Sequence, residues 1–126
     1  MIRFEVLGET PSKKNVNKFN TRSKTVYKDK NYQKWHTDAL IQLNSQIFRM
    51  GPKAPNMIEA PVAITLTFYH GNQVRRDSDN QTSSIMDLLQ DAKVLADDRW
   101  QIVRILNIYN HFDKGNPRCL IEINEL

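Results

Sequence analysis

The run Val62-Ala-Ile-Thr-Leu-Thr-Phe-Tyr69 constrains the fold more than any other stretch of this 126-residue chain. Val62, Ile64, Leu66 and Phe68 alternate with Ala63, Thr65, Thr67 and Tyr69, and a period of two in β-branched and aromatic residues marks a strand with one buried face. Such a strand needs sheet neighbours and an apolar cover. Ile2, Phe4 and Val6 alternate in the same way before Gly8 and Pro11 end the run. Two closing runs, Gln101 to Tyr109 and Arg118 to Ile123, flank a turn rich in Asp, Lys, Gly, Asn and Pro. The cover comes from two helical patterns. Between Asn31 and Met50, Tyr32, Trp35, Ala39, Leu43, Ile47 and Met50 recur every three or four residues, and Gly51-Pro52 stops them. Ile85, Leu88, Leu89 and Ala92 repeat at the same spacing beyond Asn80. Asp29 or Asn31 is placed to cap the first helix and Asp79 or Asn80 the second, through a side-chain oxygen on an otherwise unpaired N–H. The order strand, helix, strand, helix, strand, strand predicts an α/β (α+β) fold, a single-layer mixed β-sheet with two main helices packed on it. One domain over residues 1–126 is expected.

With 40% apolar residues, a chain of this length buries about two thirds of its unfolded surface and needs no metal or disulfide to hold a core. Cys119 stands alone in an alternating segment and reads as a buried, inert thiol. His36, His70 and His111 are scattered, so no cysteine–histidine zinc array is available. Trp35 reads as core; His36 fits either the core or the surface. No apolar run approaches the ~20 residues of a membrane span, and no basic leader precedes an apolar signal core. A soluble, cytoplasmic protein is the expectation.

Lys and Arg number 18 against 14 Asp and Glu, a net charge of +4, which suits a polyanionic partner. The excess is local. Between Glu9 and Asp29 there is no acid, while Lys13, Lys14, Lys18, Arg22, Lys24 and Lys28 alternate with Asn, Ser and Thr that hydrogen-bond phosphate oxygens. Two readings fit this segment: a loop that follows a phosphate backbone, with a short strand at Val26-Tyr27, or a solvated basic loop.

Asp77 and Asp79 are two residues apart, so an extended chain points both carboxylates to one side. Asp97 and Asp98 follow the second helix, and a chain that folds back would bring the two pairs together. Hard oxygen donors of this kind suit Mg²⁺ or Mn²⁺ beside phosphate oxygens. The same residues also read as a helix cap paired with Arg75 and Arg76, and an ordinary acidic turn. An EF-hand does not fit, since Thr82 occupies its glycine position and Leu88 that of its terminal glutamate. A phosphate-binding GxxxxGK[ST] loop is absent.

Arg75-Arg-Asp-Ser-Asp-Asn80, Asp87-Leu-Leu, Val94-Leu-Ala-Asp-Asp98 and Gln101-Ile102 together resemble the RusA family of Holliday-junction resolvases, whose pattern runs R-D-x-D-N, a helix carrying D-x-L, and D-D-x-x-(Q)-I. The opening Gly8-Glu-Thr-Pro-Ser-Lys-Lys-Asn15 is similar to the family's early Pro-Ser-Lys segment, and the resemblance spans most of the chain. It implies a homodimeric endonuclease of recombination and repair, often phage or prophage encoded, that uses Mg²⁺ or Mn²⁺ to make paired symmetric nicks in a four-way DNA junction. By the same resemblance Asp77, Asp79 and Asp98 are the catalytic, metal-associated acids, Asp97 stands beside them as a ligand, and Arg76 aids DNA binding; Arg75 and the basic segment join it by their charge. The chain departs from the pattern at Ser83, where the family usually carries a catalytic lysine. That departure keeps two other readings in play, a junction-binding protein without turnover and a flap or fork nuclease.

Overall fold

The structure is a computed structural model that describes residues 1–12, 17–20 and 25–126. In chain order its elements are β1 (Ile2–Leu7), β2 (Asn17–Asn20), β3 (Thr25–Lys28), α1 (Lys30–Met50), a 3₁₀ turn (Gly51–Lys53), β4 (Val62–His70), α2 (Ser78–Asp91), β5 (Val103–Phe112) and β6 (Arg118–Glu125). The expected α+β architecture is present. Four strands form one mixed sheet in the order β1-β6-β4-β5, antiparallel except where α2 carries the chain from β4 to a parallel β5. Where the sequence predicts one short strand at Val26-Tyr27, β2 and β3 pair as a separate two-stranded hairpin. The two closing strands each end two or three residues later than their patterns suggest.

Alternation fixes which face is covered. Phe4 and Val6, Val62, Ile64, Leu66 and Phe68, and Cys119, Ile121 and Ile123 are buried on one side of the sheet. They meet Ala39 and Leu43 of α1 and Ile85, Leu88 and Leu89 of α2 in a single cluster. Each such Leu or Ile contributes about 1.5–3 kcal/mol by leaving water. Trp35 packs against this cluster, as its spacing predicts. Burial pushes the Cys119 thiol well above the ordinary cysteine range, so it stays protonated and inert.

Asp29 caps α1, its Oδ1 accepting from the N–H groups of Asn31 and Tyr32 at 2.8 and 3.0 Å. The second cap differs from expectation. Asp77, not Asp79 or Asn80, occupies the N-cap of α2, and its side chain makes no capping bond. At the other end Lys93 has φ 60, and the N–H groups of Lys93 and Val94 bond back to the carbonyls of Gln90 and Leu89. That pairing closes the helix with a left-handed residue usually reserved for glycine.

The two edges of the sheet are treated differently. On β1, Glu5 N–H donates to Oε1 of Gln46 (2.9 Å) and Glu5 C=O accepts from Nε2 of Gln46 (2.7 Å). Leu7 N–H donates to Oε1 of Gln42 (2.7 Å). Glutamines of α1 therefore occupy backbone groups that an added strand would need. Along β5 beyond Arg104 no described side chain does so, and Ile105, Leu106, Tyr109 and Phe112 are exposed there. Among the described residues no helix is long and apolar enough to cross a membrane.

Candidate functional site

Seven residues join β4 to α2, and the loop they form has no apolar anchor, since Val74 is exposed. Polar contacts shape it instead. The carboxylate of Glu9, just beyond β1, accepts from the N–H of Gly71 (3.1 Å), from Nη2 of Arg76 (3.2 Å) and from Nδ1 of His70 (2.9 Å). A carboxylate only accepts, so that ring nitrogen carries a proton. Glu9 thus grips both ends of the loop. Arg76 stitches its middle, donating to the carbonyls of Asn72 (3.3 Å) and Val74 (3.1 Å) and to Oδ1 of Asn72 (2.5 Å). Nε2 of His70 lies 2.8 Å from Oδ1 of Asn110, whose Nδ2 donates to Oγ of Ser78 at the start of α2.

Two buried polar residues of α2 pull the segment after β1 onto the same helix. Gln81 donates to the carbonyl of Thr10 (2.9 Å) and Ser84 to that of Pro11 (2.6 Å). The result is an open cleft of about 710 Å³ lined by Glu9 to Ser12 on one side and by Arg75, Arg76, Asp77, Asn80 and Gln81 on the other. Oε1 of Gln81 and Oγ1 of Thr10 are buried in its walls without a partner among the described residues. Glu9, His70 and Gln81 carry no motif in the sequence, because their roles exist only through partners 40 to 71 positions away.

The residues singled out by the sequence fall in distinct settings. Asp77 faces the cleft and Asp79 is exposed in the first turn of α2. No hydrogen bond or ion pair holds either carboxylate among the described residues, so their oxygens are available as hard donors. Ser83, one turn on, donates to the carbonyl of Asp79 (3.0 Å). Arg75 is exposed at the cleft mouth, whereas Arg76 is spent on the loop. Lys18 lies in β2, described by backbone only, and Lys13, Lys14, Arg22 and Lys24 lie outside the described residues.

The second acidic pair sits elsewhere. Oδ1 of Asp97 accepts the N–H of Asp98 (2.7 Å) and its Oδ2 lies 3.5 Å from Nη1 of Arg99, leaving the exposed Asp98 carboxylate without a bond among the described residues. Buried neighbours anchor this turn at the start of the sheet: Val94 and Ala96 bond to Ile58, and Ile102 C=O accepts the N–H of Val62, the first residue of β4. Asp77 and Asp79 follow the last residue of β4. Along α2, 14 residues long, the pairs are about 20 Å apart at 1.5 Å per residue, and β4, 9 residues long, spans about 30 Å at ~3.3 Å per residue. The fold-back anticipated from the sequence does not occur within one chain. The parallel crossover prevents it, because its helix must run the length of the strands it joins.

Among the described residues, the one trio of His, Cys, Asp or Glu with ligand atoms within 4.8 Å of one another is His36, Asp87 and Asp91. It lies between the helices. Nε2 of His36 is 2.8 Å from Oδ2 of Asp91, and the Tyr32 hydroxyl donates to Oδ2 of Asp87 at 3.3 Å. Burial first, and the nearby Asp87 charge second, push the Tyr32 phenol well above its ordinary range. These contacts tie α1 to α2, while Nδ1 of His36 stays buried without a partner among the described residues.

The family model for the endodeoxyribonuclease RusA matches residues 9–124. No curated protein matches the chain.

Proposed function

The chain belongs to the RusA endodeoxyribonuclease family, and from this we propose that it is a metal-dependent endonuclease resolving four-way DNA junctions by paired symmetric nicks, in recombination and repair. In this reading it works as a homodimer in the cytoplasm, with residues 1–126 as its one domain. Asp77, Asp79 and Asp98 are its catalytic acids. The observation that carries the reading is the matched family pattern together with three exposed carboxylates that no described residue engages. Uncommitted, fully oxygen donors fit Mg²⁺ or Mn²⁺ better than softer metals. Such an ion lowers the pKa of bound water and neutralises charge developing on the phosphate.

The residues themselves divide the work. Asp77 and Asp79 hold the ion at the α2 end, and Asp98 supplies the remaining carboxylate, set in place by the bond from its N–H to Asp97. Arg75, together with Lys13, Lys14, Lys18, Arg22 and Lys24, draws in the phosphate backbone, while Arg76 keeps the loop in shape beside it. Since one chain keeps its acidic pairs about 20 Å apart along α2, a complete site takes Asp77 and Asp79 from one subunit and Asp98 from the partner subunit. The open edge of β5 supports this arrangement: two such edges running antiparallel about a two-fold bring the start of one strand to the end of the other. Two sites then act on two strands.

Mixing variants tests both the activity and its shared site. Asp79→Asn and Asp98→Asn are each expected to abolish cutting of a synthetic junction in Mg²⁺ or Mn²⁺. Their heterodimer, isolated through two different tags, retains one intact site and should nick one strand only. A heterodimer as inert as its parents would overturn the shared site. A folded wild-type protein that binds but never cuts, and that cuts once Ser83→Lys is made, would favour the junction-binding reading instead.

A further inference from the structure

Trp100 is 68% exposed, the more exposed of the two tryptophans, while Trp35 packs against the core. A single exposed aromatic is ordinary on a protein surface; its setting is not. The carbonyl of Arg99 accepts from the N–H groups of both Ile102 and Val103 at 3.0 Å, and Ile102 is buried. Trp100 and Gln101 therefore form the tip of a closed turn pinned at its base, and the indole stands largely in solvent. One guanidinium lies over it, with the Cζ of Arg104 5.7 Å from the ring centroid. Asp98 is two residues away.

We propose that Trp100 is a stacking platform for an unpaired or branch-point nucleobase. An exposed indole with a guanidinium at its ring fits a base with its phosphate, since every base offers a π-face and the guanidinium meets the backbone charge. A second protein surface would gain little from a cation beside its apolar contact. In continuous duplex the base faces are hidden by their neighbours, so only a branch point, nick or single strand presents one. Trp100 would then select branched over linear DNA beside the acid that takes part in cutting. The inference rests on the endonuclease reading above.

The test uses the full-length protein in EDTA, so that nothing is cut, with a four-way junction carrying 2-aminopurine at the crossover and a linear duplex of the same sequence. Replacing Trp100 with Ala should lower junction affinity about tenfold or more and leave duplex affinity unchanged; Trp100→Phe should retain most of it. The difference in tryptophan emission between wild type and Trp100→Phe should be quenched by the junction and not by the duplex. Equal junction affinity in wild type and Trp100→Ala, or an indole signal indifferent to the junction, overturns the platform. So does a Trp100→Ala variant that becomes monomeric where the wild type is a dimer, which would place the indole between two copies. If the wild type binds neither DNA, the endonuclease reading fails first and carries the platform with it; if it binds both normally without Trp100, the platform fails alone.

Discussion

The two ends of α2 each present an acidic pair and are built on different principles. Beyond its last turn, the Asp97-Asp98 segment rests on buried Val94, Leu95 and Ile102 and on backbone bonds to Ile58 and Val62. Before its first turn, the loop leading to Asp77 rests on one carboxylate, Glu9, which meets a backbone N–H, a guanidinium and an imidazole. Apolar anchoring is non-directional and holds a segment in place; polar anchoring fixes orientation and is lost when one partner is removed. The first end is therefore sturdy, and the second is adjustable where a ligand has to be received.

The contrast makes predictions at both ends. The largest effect belongs to the apolar end: Leu95→Ala should cost about 2–5 kcal/mol of folding free energy, measured by urea unfolding, while the folded fraction cleaves DNA normally. A cost under about 1 kcal/mol would show that the turn is not held by burial. At the polar end, Glu9→Ala should cost only about 1–2 kcal/mol, because its bonds are partly exposed. Its distinctive mark is a rise of at least about tenfold in the Mn²⁺ concentration needed for half-maximal cleavage, since Asp77 loses its fixed aim. Unchanged metal dependence would reduce Glu9 to a surface contact.

Two smaller effects sharpen the comparison within the helix pair. Tyr32 keeps its proton in the folded state beyond the pH at which the unfolded phenol loses it, near 10. The folded state then binds more protons than the unfolded one, so stability is constant below about pH 10 and falls as pH rises past it. Tyr32→Phe should flatten that alkaline slope in thermal melts recorded from pH 9 to 11; an unaltered slope would mean that another group produces it. Least of all, Lys93→Gly should raise stability by about 0.5–1 kcal/mol, since glycine adopts the left-handed φ of 60 without strain. A loss on this substitution would show that the Lys93 side chain contributes more than its backbone costs.

Local order was open to reading from residue spacing. The alternation at Val62–Tyr69 and the stripe from Tyr32 to Met50 carry their own period, and each became the strand or helix it predicts. The Asp29 cap followed from a contact only two or three residues long. The α2 cap was displaced to Asp77 because the incoming loop, set by Glu9 and Arg76, decides where helical geometry begins.

The sequence by itself determined the α+β class, the face of each element that is buried, and the acids and cations that the family pattern marks, because these depend on periods and spacings along the chain. Only the tertiary structure decided that glutamines block one sheet edge, that Glu9 and His70 brace the loop before Asp77, and that the two acidic pairs stand at opposite ends of one crossover. Those facts depend on contacts between residues 32 to 71 positions apart, and a chain encodes such meetings through its topology, which no local spacing contains.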